Sequence, residues 1–190
     1  MPESTSDTER IEEGRRKMTP LIFLDVDGVL NTHDFSQLAA SNTIHREKVG
    51  TLNRILAATG ASIVLSSAWR YLIYRGDMDQ RGMDWLFRSH GIMASRVRGI
   101  TRKDTMISTP MGPLPLEDER GEQIREWLAI NVADVPPYVV IDDGGIRRSD
   151  GQWTDLGIVA AGHPFVRTMA DVGLTEADAD RAISILVEKE

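Results

Sequence analysis

The residues with the clearest capacity for chemistry are two aspartates two positions apart, Asp25 and Asp27, followed at once by Gly28. Carboxylates this close repel each other unless a cation or another positive group lies between them. Gly28 permits a sharp turn and a close approach of backbone to ligand. The combination points to a metal-assisted phosphate site with Asp25 as nucleophile. Two further polar clusters share the setting: Ser66 and Ser67 follow Ile63-Val64-Leu65, and Asp142-Asp143 follow Val139-Val140-Ile141.

Each cluster needs an element to hold it. Leu21-Ile22-Phe23-Leu24, residues 61–65 and 138–141 read as short strands buried on both faces, as in a parallel sheet. The carboxyl ends of such strands converge on one crevice, where open α/β sheets bind ligands. Hard oxygen donors gathered there suit Mg²⁺, which binds through few carboxylates together with substrate phosphate. Asp25, Asp27, Asp142 and Asp143 are the expected metal ligands, and a basic residue is needed beside them.

Between the clusters, residues 45–59 carry Val49, Leu52, Ile55 and Leu56 at helical spacing, with Gly60 placed as a C-terminal cap. With the strands on either side this helix makes a right-handed βαβ unit. Helices are also expected over residues 78–90, from residue 117 or 118 with Ile124, Trp127 and Leu128 buried, and after a capping box at Thr175–Asp178. The terminal helix is expected to bury Ala179, Ala182, Ile183, Leu186 and Val187. Weaker strands are expected at 92–97, 157–161 and 165–168, and the proline-rich stretch 105–115 reads as loop. The alternation predicts a doubly wound, Rossmann-like α/β fold with a parallel sheet flanked by helices.

The chain has 190 residues, enough for one domain with a substantial core. Residues 1–17 mix five acids with four bases around a single large apolar residue, Ile11, and are expected to form a mobile tail. Residues 18–190 are expected to form one catalytic domain. A net charge of −7 gives no global attraction to nucleic acid or anionic membrane. The absence of cysteine excludes disulfides, thiolate metal ligands and a cysteine nucleophile. No apolar run reaches the roughly 20 residues of a membrane helix, and the polar N-terminus does not read as a signal peptide. The expectation is a cytoplasmic protein.

Asp25-Val26-Asp27-Gly28-Val29 resembles motif I of the haloacid dehalogenase (HAD) superfamily, Ser66 its motif II and Asp142-Asp143 its motif IV, in the right order. More narrowly, Ser66-Ser67-Ala68-Trp69-Arg70, Arg120-Gly121-Glu122-Gln123-Ile124 and Gly173-Leu174-Thr175 resemble the HAD domains of Swiss Army Knife RNA-repair proteins, over about residues 20–188. The resemblance implies a Mg²⁺-dependent phosphatase. In it Asp25 forms an aspartyl-phosphate, Asp27 is the general acid and base, and Ser66 binds the transferring phosphoryl group. Asp142 and Asp143 hold the metal, one directly and one through water or by anchoring the basic residue, with Asp143 favoured as the direct ligand. The basic residue of motif III corresponds to Arg120, with Arg125 one helical turn on as the alternative.

Little material is available for a cap domain, so bulky substrates such as nucleic-acid ends are admissible, as are small phosphate esters and phosphoproteins. Gly28, Ser67, Trp69 and Arg70 are the expected substrate contacts. Residues 70–103 hold eight Lys or Arg against three Asp, with Trp69, Tyr71, Tyr74, Trp85 and Phe87 interleaved. That is a composition used to bind single strands, although Trp85 and Phe87 are expected in the core. His33 and Asp34 follow motif I closely enough to touch substrate, but loop or surface duty is expected of all four histidines. A signalling receiver domain also gathers acids on an α/β sheet, with the acid pair early and the phosphorylated Asp later. The order here is the reverse. A non-catalytic phosphate-binding module on the same fold is the remaining alternative.

Overall fold

A computed structural model of the chain describes residues 18–32, 43–93, 97–110, 112–115, 119–145 and 154–187. Its centre is β1 (Leu21–Leu24), flanked by β2 (Ser62–Leu65) and β6 (Tyr138–Asp142). With β3 (Val97–Ile100) and β7 (Phe165–Arg167) they form a five-stranded sheet in the order β3-β2-β1-β6-β7. Every pairing in it is parallel. The pleat divides the side chains between two layers. Ile22 and Leu24 pack among residues of α1 (Arg46–Thr59), α3 (Gln80–Ser89) and α5 (Glu176–Val187), while Leu21 and Phe23 face α4 (Arg120–Asn131). Phe23 meets the rings of Trp127 and Tyr138 edge-on at 5.5 and 5.8 Å, the arrangement ring quadrupoles favour. The doubly wound α/β architecture expected from the sequence is the one observed.

The helices start and stop where their residues dictate. α1 buries Val49, Leu52, Ile55 and Leu56 and ends at Gly60, whose φ of 66° is left-handed and whose N–H donates to the Leu56 carbonyl. α5 opens on the expected capping box: Asp178 N–H donates to Thr175 Oγ1, and Thr175 N–H to Asp178 Oδ2. It buries Ala179, Ala182 and Leu186, but Val187 is exposed and falls outside the stripe. Trp127 and Phe87 are core; Trp85, expected there too, is 70% exposed.

Three other elements differ from expectation. The strand expected at 92–97 begins at Val97, because Ile92 is spent on the core immediately after α3. The stretch read as loop forms an antiparallel hairpin, β4 (Met106–Thr109) with β5 (Gly112–Pro115). Its prolines are compatible with a two-stranded ribbon whose outer edges need no partner. Residues 157–161 make a turn around buried Ile158 rather than a strand. A short helix, α2 (Arg70–Tyr74), follows the two serines. Among the described residues the hairpin is the one insertion that stands apart from the sheet and its helices. No helix among them is long and apolar enough to cross a membrane. The expected N-terminal tail, His33 and Asp34 lie outside the described residues.

Candidate active site

β1, β2 and β6 deliver their polar ends to one crevice. Asp25 N–H donates to the Ile141 carbonyl and Ser66 N–H to that of Leu24, so the parallel ladder itself sets the heights of these residues. One carboxylate oxygen each from Asp25, Asp142 and Asp143 lie within 4.8 Å of one another. Arg120, at the start of α4, reaches this cluster: Nη1 lies 2.6 Å from Asp142 Oδ2 and 3.7 Å from Asp25 Oδ2. It also donates to the Ser66 carbonyl. Arg125, the alternative from the sequence, is exposed and pairs with Glu122.

Glycine is required at two points of this frame. A Cβ on Gly28, where φ is 74°, would sit 2.4 Å from Asp143 Oδ2, inside the acidic cluster. A Cβ on Gly121 would meet the Gly157 carbonyl oxygen at 2.2 Å. The loop after β6 therefore crosses the start of α4 directly behind Arg120.

Asp27 stands apart from the acidic cluster. Its Oδ1 accepts hydrogen bonds from Asn31 Nδ2 at 2.7 Å and Trp69 Nε1 at 3.2 Å. Among the acids expected to hold metal, Asp27 so held contributes no carboxylate oxygen to the three-acid group. Asn31 closes the turn by accepting from Gly28 N–H, and Thr168 Oγ1 ties the Gly28 carbonyl to the residue after β7. Ser66 is fully buried, and its hydroxyl has no hydrogen-bond partner among the described residues. A buried, unpaired hydroxyl costs roughly 1–3 kcal/mol, a cost that an arriving acceptor would remove. Trp69, expected to touch substrate, is placed beside Asp27 and donates its indole N–H to that carboxylate.

Arg70 differs most from expectation. It is 1% exposed. Nη1 donates to the Ser67 carbonyl at 2.8 Å, Nε to the Arg102 carbonyl at 3.1 Å, and Nη2 pairs with Asp104. No part of the guanidinium is turned out to substrate. Asp104 also accepts from Tyr71 Oη and Gln123 Nε2, and burial is outweighed by these partners, which hold its pKa below the ordinary carboxylate value. Arg102 pairs in turn with Glu119 and Glu126. The network fastens the serine loop to the helix carrying Arg120. Replacing Asp104 with Ala is expected to leave the buried Arg70 charge unpaired and to cost about 3 kcal/mol, read as a lower urea midpoint at unchanged m-value. A midpoint equal to wild type would show that the network does not hold the loop.

The electrostatics of the cluster are unbalanced. Burial, then the Asp142 charge, push the Asp25 carboxyl up to about 7, against the pull of Arg120, the Ser67 side-chain hydrogen bond and the Val26 amide. Burial raises Asp142 as well, although Arg120 and the Gly144 amide favour its charged form. Burial opposes the charge on Arg120, yet Asp142 and Asp25 outweigh it and raise its pKa further. Three carboxylates against one guanidinium leave negative charge over. An all-oxygen donor set with no sulfur or imidazole fits a hard divalent cation such as Mg²⁺. The described histidines lie elsewhere: His45 precedes α1, His90 caps α3, and His163 is buried between Tyr138 Oη and the Gly121 carbonyl.

A parallel sheet carrying an Asp-x-Asp turn on its central strand, a serine on one neighbour and paired acids on the other defines a HAD-type domain, the fold and site of a class of phosphohydrolases. The chain belongs to the family described as the HAD domain in Swiss Army Knife RNA repair proteins, whose model matches residues 21–179. No curated protein matches the chain closely enough to count as a relative.

Proposed function

We propose that the protein is a Mg²⁺-dependent phosphomonoesterase that works through an aspartyl-phosphate on Asp25 and takes phosphorylated polynucleotide ends. The observation that carries the catalytic reading is the meeting of Asp25, Asp142 and Asp143 oxygens beside Arg120 and the unpartnered Ser66 hydroxyl. The polynucleotide reading is supported by the absence, among the described residues, of any cap larger than the β4–β5 hairpin. It draws also on the RNA-repair setting named for the matched family.

In the first step a carboxylate oxygen of Asp25 forms a bond to phosphorus while the bond to the leaving oxygen breaks. Asp27, steered by Trp69 and Asn31, gives its proton to that oxygen, a contribution of about 10²–10⁴-fold in general. In the second step Asp27 takes a proton from water as the water oxygen attacks phosphorus, and the bond to Asp25 breaks. Inorganic phosphate leaves. Ser66 and Arg120 hold the phosphoryl oxygens through both steps. Asp25, Asp142 and Asp143 would hold Mg²⁺, which offsets their repulsion and stabilises charge developing on the phosphoryl group.

The test is phosphate release, with and without Mg²⁺, from an aryl phosphate, mononucleotides, phosphopeptides and oligonucleotides phosphorylated at the 5′ or the 3′ end. Mg²⁺-dependent release fastest from one oligonucleotide end is expected. Release from small esters or phosphopeptides alone would overturn the polynucleotide reading, and release from none would leave a phosphate-binding module.

Cation binding should also depend on pH. An aspartate whose folded pKa is raised binds its proton more tightly in the folded state, so the metal-free protein loses stability as pH climbs from the unfolded value toward about 7. Mg²⁺ must displace that proton below about 7 and need not above it. At a concentration of 100 dissociation constants the cation adds about 2.7 kcal/mol. The increment in thermal midpoint is expected to be present at about pH 8 and much reduced at about pH 5.5. An increment independent of pH would remove Asp25 from the ligand set.

A further inference from the structure

Of the eight basic residues in the stretch 70–103, most described ones are committed. Arg70 is buried against Asp104, Arg75 pairs with Asp77, and Arg102 with Glu119 and Glu126. Lys103 lies over the Tyr74 ring. Arg81, Arg88 and Arg98 are exposed and make no ion pair among the described residues. On α3 the positions 81, 85 and 88 are spaced by four and three, so they share one helix face. The residue between the two arginines is Trp85, 70% exposed. The opposite side of the helix buries Met83 and Phe87, which leaves Trp85 unneeded by the core.

Arg98 is exposed at the bulge that opens β3, next to α3. Its neighbour Val97 is held on both sides by α3: Gln80 Nε2 donates to the Val97 carbonyl, and Val97 N–H donates to Asp84 Oδ1. The nearby acids are occupied, Asp84 by that amide, Asp79 in capping Gly82, and Asp77 by Arg75. A cationic, aromatic strip thus stands out on a chain whose net charge is −7. The strand beneath it, β3, is two strands from β1 in the sheet, a lateral distance of about 10 Å.

We infer that the Arg81–Trp85–Arg88 face of α3 is a docking surface for a single-stranded polynucleotide whose phosphorylated end enters the crevice at Asp25. The inference rests on the polynucleotide reading above and deepens it by naming where the strand lies. The arginines meet successive backbone phosphates, and Trp85 offers an exposed ring on which a base stacks. This pairing of cationic groove and aromatic platform is tolerant of sequence. An acidic protein would satisfy the arginines but would leave the indole without a partner.

The experiment measures fluorescence anisotropy of a labelled single strand of roughly 12 nucleotides, carrying a terminal phosphate. The full chain bears Asp25→Asn so that the phosphate is retained. Trp85→Ala is expected to weaken the dissociation constant about tenfold. The double variant Arg81→Ala/Arg88→Ala is expected to make the slope of log K against log salt shallower by about 1.4, the value for two single-strand phosphate contacts. All three side chains are exposed, and circular dichroism checks that the fold is retained. No binding at about 50 mM salt, or binding that neither variant weakens, overturns the assignment. So does equal competition by polyglutamate without an effect of Trp85→Ala, which marks nonspecific charge attraction. Wild-type release of phosphate from an aryl phosphate is followed in parallel. If that persists while strands fail to bind, the docking surface falls and the phosphatase stands; if strands bind through α3 and no phosphate is released, the reverse holds.

Discussion

Asp25→Asn is expected to abolish phosphate release, by about 10⁴-fold or more, while making the metal-free protein more stable. The two directions come from the same geometry. The change is nearly isosteric, and the amide oxygen can still accept from Val26 N–H, which in the wild type bonds Asp25 Oδ1 at 2.8 Å. What is lost is the carboxylate that attacks phosphorus. What is also lost is a buried charge facing Asp142, the pair whose repulsion, after burial, pushes Asp25 up to about 7. The stability gain should be fully present above about 7, where the wild-type carboxyl is ionised, and should shrink toward the unfolded value as protonation removes the repulsion. Phosphate release and thermal midpoints at several pH values, in chelator, read both effects. Residual turnover near the wild-type rate would exclude Asp25 as nucleophile. A loss of stability above pH 7 would mean that Arg120 already balances the acids and that no cation is called for.

How much of this was legible in the sequence depended on the range of the contacts involved. β1, β2 and β6 were plain because each is a short run of apolar residues stopped by a polar pair, and strands buried on both faces need that composition. Their convergence followed from the parallel topology alone, which is why Asp25, Asp142 and Asp143 could be grouped without coordinates. Side-chain direction was not legible. Asp27 leaves the acidic cluster because Trp69, 42 positions away, holds its oxygen. Arg70 looked like a substrate contact because it follows the serines, yet its partner Asp104 lies 34 positions on. Nothing local marks that pairing. The β4–β5 hairpin was hidden by Pro110, Pro113 and Pro115, which break the pattern of a central strand but not that of an isolated ribbon. Trp85 reads as core when taken alone, but its spacing from Arg81 and Arg88 is the signal that it sits on the polar face.

Arg120→Met is the substitution expected to cost most stability. Asp142 is fully buried, and its Oδ2 lies 2.6 Å from Arg120 Nη1. Removing the guanidinium leaves that carboxylate and Asp25 facing each other, with Arg70, already committed to Asp104, the cation that still acts on Asp25. Stripping one partner from a buried pair costs about 3–5 kcal/mol. Because burial has already raised both carboxyls, protonation provides an escape. Losing Arg120 raises the Asp25 carboxyl above its wild-type value of about 7, so the deficit should be largest well above pH 7 and lessen as the pH falls toward 7. Mg²⁺ should restore part of it at high pH. Arg120→Lys keeps the charge, but its side chain is shorter than the one whose Nη1 alone reaches both Asp142 and the Ser66 carbonyl; its stability should fall between wild type and Arg120→Met, with turnover lost. Arg125→Ala is the matched control. That side chain is 54% exposed and pairs with a half-exposed Glu122, so its removal should change stability by less than about 1 kcal/mol and leave phosphate release intact. Urea titrations of the three variants at two pH values, with phosphate release from an aryl phosphate, decide between the arginines. Loss of turnover in Arg125→Ala with Arg120→Met still active would move the basic role one helical turn along α4 and detach it from the acids that Arg120 touches.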